Sequence, residues 1–261
     1  MKRLTLATLA LLLASAACNI GFPNAVRGSG NIVTQSFDVG GFDQVELDTI
    51  GDVYIEQGDS ESLTVETDDN ILPLLDVKVK DGKLILRAQD GADFAPSNTI
   101  TFRVTVRELS AVTANASGDF FVEPITGKSL AAHVNASGDV NLEGVEVGQF
   151  SVTSAGSGDV TVDSLEADDV KVELSASGSA ALTGETPSLN AEVNGSGSLH
   201  ADDLQASDAV IALRASGNAT VWAVDSLDIT LSGSGDLSYY GSPKLTMNAT
   251  GSGDISELGE K

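Results

Sequence analysis

Eight Ser-Gly steps recur through the second half of the chain at nearly constant spacing. Their glycines are separated by 20, 20, 20, 19, 20, 18 and 18 residues. Ala or Gly precedes each step, and Asp, Ser or Asn follows it. Such small residues predict a tight corner, where glycine can also adopt a positive φ. A period near 20 residues predicts a repeat architecture. The eight glycines are Gly118, Gly138, Gly158, Gly178, Gly197, Gly217, Gly235 and Gly253.

Apolar residues alternate with polar ones on both sides of each corner. Counted from the glycine, positions −6 and +2 are apolar in every repeat, and positions −4 and +4 largely continue the pattern. This is strand periodicity, in which alternate side chains point inward. Stacking successive turns about 4.8 Å apart would join these side chains into one core. A β-sandwich is the main alternative, but it does not require one corner motif repeated in step.

We therefore predict an all-β fold, a single-stranded right-handed parallel β-helix with turns of about 18–20 residues. Aromatic residues are only 5% of the chain and hydrophobic residues 41%, so Ala, Val, Leu and Ile must fill the core. The 14 basic and 38 acidic residues give a formal net charge of −24. Such a field repels nucleic acid phosphates, so nucleic acid is not expected as a partner.

The N-terminus has the pattern of a signal peptide. Two basic residues precede an apolar run from Leu4 to Leu13, and small residues follow it. The only cysteine, Cys18, comes next, and the segment is similar to a bacterial lipobox, in which this cysteine receives a lipid. Ser15 departs from that motif, where Leu is usual. Ordinary cleavage at an A-x-A-like site is the alternative.

We predict lipidation at Cys18, because a lone exported cysteine has no disulfide partner. Asn19 is compatible with sorting to the outer membrane of a Gram-negative cell. The predicted protein is therefore an exported envelope lipoprotein, facing the periplasm or the cell surface, with the membrane as a partner through its lipid anchor. The predicted organisation is a signal peptide (1–17), a lipidated tether (18–27), a β-helix domain (28–257, irregular over 28–110 and regular over 111–257) and a tail (258–261).

The irregular half contains weaker versions of the same signals. Gly51 and Asp52 resemble an early corner, and the Asp-Gly pair at 81–82 predicts a hairpin or a corner turn. The run Asp-Asp-Asn at 68–70 precedes an apolar stretch, so we expect it to cap one helical turn. We interpret this half as the entrance to the solenoid, with its first turns forming the cap.

Five motifs of this half occur in the order Gly-Ser-Gly-Asn-Ile (28–32), GFDQVEL (41–47), GDVYIEQG (51–58), TDDNILPLL (67–75) and VKDGKLIL (79–86). Together with the later Ser-Gly-Asp corners they resemble the family named putative auto-transporter adhesin, head GIN domain, over residues 28 to about 256. The resemblance implies a right-handed β-helix of the bacterial envelope, often behind a lipoprotein leader. The role it implies is unknown or adhesive, and it implies no catalytic residues.

Stacking turns each repeated outward residue into a column, and two acidic columns follow the corners. Adjacent carboxylates about 5 Å apart repel by about 0.8 kcal/mol at the dielectric of water, and Ca²⁺ would relieve this repulsion. The alternative, which we favour, is that the columns keep a long β-surface soluble. We therefore predict no cofactor and no metal. The six carboxylates to be tested are Asp119, Asp139 and Asp159 at +1, and Glu123, Glu143 and Asp163 at +5.

The face before each corner is rich in amides and hydroxyls, with Asn115, Asn135 and Asn194 at position −3. A regular polar face could receive a glycan or a protein, or it could be an ordinary solvated surface. Outward aromatic residues could stack on a sugar ring. We place Phe121, Trp222 and Tyr240 in separated turns, each under a local loop, so we expect no shared aromatic site.

Catalytic signals are weak. The only histidines are His133 and His200, which excludes a His-rich metal cluster and gives little support to a Ser-His-Asp triad. Arg214 has no carboxylate at the corner of its own turn. We predict a non-enzymatic envelope lipoprotein that acts as a structural or adhesive binding module. A carbohydrate-active lyase or hydrolase, or a glycan-binding protein, is the alternative, and a filament subunit is a third; the sequence leaves the ligand and the oligomeric state open.

Overall fold

The computed structural model describes residues 25–261, so the predicted signal peptide and Cys18 lie outside it. No helix in this part of the chain is long and apolar enough to cross a bilayer. One 3-10 turn, Leu72–Leu74, interrupts the strands. The strands of the first half are β1 Val26–Arg27, β2 Ile32–Phe37, β3 Gln44–Asp48, β4 Asp52–Gln57, β5 Ser62–Asp68, β6 Leu75–Lys80, β7 Lys83–Ala88, β8 Phe94–Ala95 and β9 Thr101–Val106.

The second half consists of the regular repeats. Strands β15 to β18 run through the bends between faces and are 13 to 15 residues long. The last strand ends two residues beyond the predicted domain boundary of 257. These strands are β10 Ala111–Ala114, β11 Phe120–Val122, β12 Ile125–Val134, β13 Val140–Leu142, β14 Val145–Ser154, β15 Val160–Leu174, β16 Ala180–Val193, β17 Leu199–Leu213, β18 Ala219–Leu231, β19 Leu237–Tyr240, β20 Lys244–Ala249 and β21 Ile255–Gly259.

Successive turns stack as parallel strands in register. Val112 pairs with Ala132, Ala132 with Val152, and Val152 with Val172, and all four side chains are buried. The alternation of buried and exposed residues follows the predicted inward positions, because each turn buries its apolar side chains against those of the next. The predicted parallel β-solenoid is confirmed.

Each turn has three faces. The pre-corner face consists of the strands that lead into the Ser-Gly corners, and the post-corner face of the strands that leave them. A return face links the two, and its inward column contains Ile125, Val145 and Leu165, each paired with the next in register. The repeat pattern predicts the first two faces but not the third.

The corner glycines are required by close stacking and not by backbone conformation. A Cβ on Gly138 would lie 2.1 Å from the carbonyl oxygen of Gly118, and one on Gly158 would lie 2.0 Å from that of Gly138. None of the eight Ser-Gly glycines has a positive φ, whereas Gly51, at the predicted early corner, has a φ of 126°. The repeated corners therefore do not use the left-handed conformation that glycine would allow. Glycine is needed because the next turn's backbone occupies the space of a side chain.

The stacking order at the N-terminal end differs from the chain order. Strand β3 lies between β7 and β10, and β4 lies between β9 and β11. The turn of β3 and β4 is therefore interior, although it comes first along the chain. Antiparallel pairs β6–β7, β5–β9 and β2–β5 close the end beyond it. The first half does form the entrance and cap, but residues 62–106, with β2, form most of the cap.

Two local predictions in the cap have different outcomes. Asp81 and Gly82 both have positive φ, 53° and 77°, and join β6 to β7 in a two-residue hairpin, as predicted. The run 68–70 does not cap the 3-10 turn, whose N-cap residue is Ile71 and has no side-chain cap hydrogen bond. A helical turn is present, but these side chains bind elsewhere.

The side chains of residues 68–70 hold the Gly-Ser-Gly-Asn segment. The buried Asp68 carboxylate accepts hydrogen bonds from the Gly30 amide at 2.7 Å and the Ser97 hydroxyl at 2.6 Å. Asp69 accepts from the Ser29 hydroxyl at 2.6 Å. A Cβ on Gly28 would lie 2.4 Å from Asp68 Oδ2, so this motif and the Asp-Asp-Asn motif fit each other directly.

Candidate functional site

The carboxylates of the +1 column bind the backbone of the next turn. Asp119 Oδ1 accepts a hydrogen bond from the Asp139 amide at 2.9 Å, and Asp139 Oδ1 accepts one from the Asp159 amide at 2.8 Å. Asp159 Oδ1 accepts from the Ser179 amide at 2.7 Å. Each aspartate therefore joins two turns. The same bond is made without a charge by Asn218 Oδ1, which accepts from the Asp236 amide at 2.8 Å.

Asp52 extends this column by one turn toward the cap. It follows Gly51 and lies beside Asp119, because Val53 and Phe120 are register partners. Burial raises the pKa of Asp52, and the negative charge of Asp119 raises it further, while a backbone hydrogen bond from Asp119 opposes both. The column thus stores like-charge repulsion that the hydrogen bonds offset.

The +5 carboxylates separate into two groups. Glu123 and Glu143 are exposed in consecutive turns and line a common groove. Asp163 lies in the next turn, beside a register shift, and does not line this groove. Among residues 25–261 there is no group of three or more His, Cys, Asp or Glu side chains that could hold a metal ion. The six predicted carboxylates therefore do not converge on one point.

The predicted amide face also divides. Asn115 Nδ2 donates to Asp48 Oδ1 at 2.7 Å, and Asn135 Nδ2 donates to Asn115 Oδ1 at 2.7 Å, which makes a three-residue ladder. Asn194 lies three turns further on and is separate from this ladder. Two of the three predicted ligand residues are thus adjacent, and their amides are engaged with each other.

Arg214 has a carboxylate partner in the preceding turn. Its guanidinium donates to Glu192 Oε2 at 2.7 Å and, more weakly, to Asn194 Oδ1 at 3.5 Å. This hydrogen bond holds the pKa of Glu192 below its usual value. This partner is not evident from the corner of the turn that contains Arg214, because the adjacent turn supplies it through stacking.

A groove of about 450 Å³, the aromatic groove, lies on the post-corner face beside the cap. The Tyr54 and Phe121 rings are stacked, with centroids 5.0 Å apart and planes 17° apart. The guanidinium carbon of Arg103 lies 5.1 Å from the Tyr54 centroid. Since β9, β4 and β11 are consecutive in the stack, Arg103 and Phe121 lie on opposite sides of Tyr54.

Carboxylates and hydroxyls line the rest of the aromatic groove. Glu56, Glu123 and Glu143 belong to its wall. The Ser62 hydroxyl donates to Thr105 Oγ1 at 3.0 Å, and the Thr105 hydroxyl donates to Glu56 Oε1 at 2.9 Å. This series of hydrogen bonds fixes the Glu56 side chain in place. Glu123 and Glu143 form no ion pair with any basic side chain in the described part of the protein.

Neither Tyr54 nor Arg103 is among the site residues predicted from the sequence. Tyr54 stands at +3 from Gly51, as Phe121 stands at +3 from Gly118, so equal distances from two corners were the available signal. Arg103 had no such signal, because it enters through β9, which lies out of chain order.

The expectation of isolated aromatic residues is wrong at a second place. Trp222 and Tyr240 are register partners in adjacent turns. The Lys261 ammonium lies 5.8 Å from the Trp222 ring centroid and 5.1 Å from the Tyr240 centroid. It also lies 2.5 Å from Asp203 Oδ1. Both rings stand at +5 from their corner glycines, so they share one column and one cation.

A second concavity of about 610 Å³, the acidic groove, runs along the return face. Glu146, Glu166 and Glu185 are register partners in three consecutive turns and line it together with Asp168. No basic residue is among the lining residues of this groove. This groove is not among the sites predicted from the sequence, because the return face is not predicted either.

Stacked parallel strands, glycine corners and outward side-chain ladders define the class of this protein as a parallel β-solenoid closed at one end by antiparallel strands. The chain belongs to the family named putative auto-transporter adhesin, head GIN domain, whose profile matches residues 41–163 and 143–243. The resemblance seen in the sequence motifs is thereby confirmed. No curated protein sequence matches the chain.

Solved structures share the fold over most of the chain. A putative adhesin from Parabacteroides distasonis ATCC 8503 is 26% identical with a TM-score of 0.84, and a putative lipid binding protein from the same organism is 25% identical with a TM-score of 0.83. Each match covers 90% of this chain and 100% of the other. A putative adhesin from Parabacteroides merdae ATCC 43184, 22% identical, has a TM-score of 0.83 over 90% of this chain and 99% of its own.

Proposed function

We propose that this protein is a non-enzymatic binding module of the bacterial cell envelope, anchored by a lipid on Cys18, that holds its ligand on the outer surface of the solenoid. The observation that carries the proposal is the aromatic groove. It places two stacked rings, one guanidinium and three carboxylates on, or directly after, adjacent hydrogen-bonded strands.

Rigidity of the support favours binding as the role of this surface. Side chains in a parallel ladder recur about 4.8 Å apart and are held by hydrogen bonds between turns. A site built on such strands loses little conformational freedom when a ligand binds, which favours affinity. The names of the family and of two solved relatives, which describe adhesins, agree with a binding role.

The lipid anchor is tested in a Gram-negative host with the full-length chain and the Cys18→Ala variant. Radiolabelled palmitate should enter the first protein and not the second. Globomycin should cause the unprocessed form of the first to accumulate, and the first protein should fractionate with outer membranes. Equal labelling or equal fractionation of the two proteins would show that Cys18 is not the anchor.

The binding role is tested separately with the purified mature protein on an array of envelope glycans and on whole bacterial cells. We expect saturable retention that Tyr54→Ala and Phe121→Ala together reduce, and no change in the substrate glycan after prolonged incubation. Equal retention of the wild type and the double variant would show that the aromatic groove is not the binding site. Release of new reducing or unsaturated ends would show that the protein is an enzyme that cleaves the glycan and not a binding module.

A further inference from the structure

The lining of the aromatic groove has the chemistry of a sugar site. Aromatic rings offer apolar surface to the C–H groups of a sugar ring, and hydroxyl side chains both donate to and accept from its hydroxyls. Tyr54 is 38% exposed although Arg103 and Phe121 lie on its two sides, and Phe121 is half-buried, so part of each ring is open to solvent. Thr64 and Thr105 supply hydroxyls on the same wall. The volume of about 450 Å³ falls in the range of small-ligand sites.

The charge of the groove selects among sugars. Glu123 and Glu143 stand in consecutive turns beside Phe121, exposed and without an ion pair among the described residues. The chain as a whole carries a formal net charge of −24. Arg103 lies at the far side of Tyr54, two strands from Phe121. Next to the cap, Arg103 is therefore accompanied by Glu56, whereas Glu123 and Glu143 form an anionic end away from the cap.

Two cationic side chains of this protein already lie over aromatic rings. The Arg103 guanidinium lies over Tyr54, and the Lys261 ammonium lies over Trp222 and Tyr240 while it contacts Asp203. In the second case two rings from adjacent turns and one carboxylate bind an ammonium group. Tyr54 and Phe121, with Glu123 and Glu143, repeat that combination with no lysine over Phe121.

We infer that the aromatic groove binds a glycan with free, protonated amino groups, such as a chain of glucosamine units. This inference rests on the proposed binding function and names its ligand class. The sugar ring packs on Phe121, the ammonium lies between Glu123 and Glu143, and the ring hydroxyls bond to the threonine hydroxyls. Attraction of a cation to a ring face adds to its attraction to two carboxylates.

The test is calorimetric titration of the purified mature protein with three probes. These are a β-1,4-linked glucosamine tetramer, its fully N-acetylated counterpart and tetralysine. We expect the glucosamine tetramer to bind about tenfold or more tightly than either of the others, with its preference over the uncharged acetylated tetramer falling as salt rises. Equal binding of the acetylated tetramer would overturn the requirement for an ammonium. Equal or tighter binding of tetralysine would overturn the assignment to a glycan.

Matched variants locate the site. Glu123→Gln with Glu143→Gln should weaken glucosamine binding about tenfold or more. Glu166→Gln with Glu185→Gln, in the acidic groove on another face, should leave it unchanged. Circular dichroism and melting temperature establish that both double variants are folded. Equal effects of the two double variants would show that net charge alone attracts the probe, and would overturn the site.

Failure of this inference and failure of the binding role give different results. If the glycan array and whole cells retain the protein through Tyr54 and Phe121 while glucosamine chains do not bind, the ligand class is wrong and the binding role stands. If neither the array, the cells nor the glucosamine tetramer binds, both are wrong.

Discussion

Glycine is required at the repeated corners of this solenoid because the backbone of the neighbouring turn occupies the space that a methyl group would need. The Cβ of an alanine at Gly158 would lie 2.0 Å from the carbonyl oxygen of Gly138, which is backbone and cannot rotate away. Gly127, on an exposed part of the return face, has no atom within 4 Å of that position. Two glycines in the same chain therefore have opposite tolerance for the same change.

We expect Gly158→Ala to lower the free energy of unfolding by about 3 kcal/mol or more, since the turns must separate to admit the methyl group. Gly127→Ala is the control and should change it by less than about 0.5 kcal/mol. Urea unfolding followed by circular dichroism measures both. Similar effects of the two substitutions would mean that stacking does not select glycine at the corner.

Ser154 is the polar exception among the inward positions before the corners. Its side chain is fully buried, and its hydroxyl has no hydrogen-bond partner among residues 25–261. Ala114 occupies the same repeat position in another turn. We expect Ser154→Ala to raise the free energy of unfolding by about 1 kcal/mol, because it removes an unsatisfied buried hydroxyl. A loss of stability in thermal melts would show that the hydroxyl is bonded in solution.

At the scale of strands and columns, repeated side chains act between turns. The +1 column combines an acceptor for the next turn's amide with a charge that repels its neighbours. Asn218 shows that the acceptor works without the charge. The column thus contributes to stability through hydrogen bonding, while its charges oppose stacking.

Because hydrogen bonding stabilises the column and charge repulsion opposes it, two substitutions at Asp139 should have opposite effects on stability. Asp139→Asn keeps an oxygen for the Asp159 amide and removes repulsion from both sides, so the melting temperature should rise at low salt and the gain should shrink at high salt. Asp139→Ala leaves that amide without its acceptor and should cost about 0.5–1.5 kcal/mol. Melting curves at two salt concentrations measure both. A lower melting temperature for the Asn variant would mean that the charge itself is needed.

On the scale of the whole molecule, the N-terminal cap joins parts of the chain far apart in sequence. The single carboxylate of Asp68 accepts hydrogen bonds from both Gly30 and Ser97. The Ser97 hydroxyl in particular holds the pKa of Asp68 below its usual value, and hydrogen bonds from Ser29 and Asn31 do the same for Asp69. The end of the solenoid is therefore closed by ionised carboxylates.

A carboxylate whose pKa is lowered by folding stabilises the protein above its unfolded pKa of about 3.9, and this contribution is lost as pH falls through the folded value. Asp68 and Asp69 should therefore make the cap the acid-sensitive end. Asp52, with its raised pKa, acts in the opposite direction and is relieved by acid. We expect the melting temperature to fall below about pH 4.

The variant Asp68→Asn tests the source of that acid sensitivity. It should melt at a lower temperature at pH 7, because its amide nitrogen would face the Ser97 amide, which donates to Asp68 Oδ2 at 2.8 Å. Its melting temperature should also decline less than that of the wild type between pH 5 and pH 3. Thermal melts across that range measure the difference. Parallel declines would place the acid-sensitive group elsewhere.

The fold of the regular half could be predicted from sequence because its contacts are repeated. A residue in this half meets its equivalent about 20 residues away, so one register, read from Gly118 and Gly138, determines the column of every side chain. The same rule pairs Trp222 with Tyr240 once equal distances from the corner are compared. That pair was accessible to the sequence and was missed, whereas the pairing of Tyr54 with Phe121 also depends on the stacking order of the first half.

By itself, the sequence determined the parallel solenoid, its corners and its family, because a period-2 pattern repeated about every 20 residues has one efficient way to bury its apolar face. Only the tertiary structure decided the order of the cap, where β9 carries Arg103 beside Tyr54, and the joining of Asp68 to Gly30 and Ser97. The physical reason is that non-repeating strands are placed by long-range packing and hydrogen bonding, which no local pattern or period encodes.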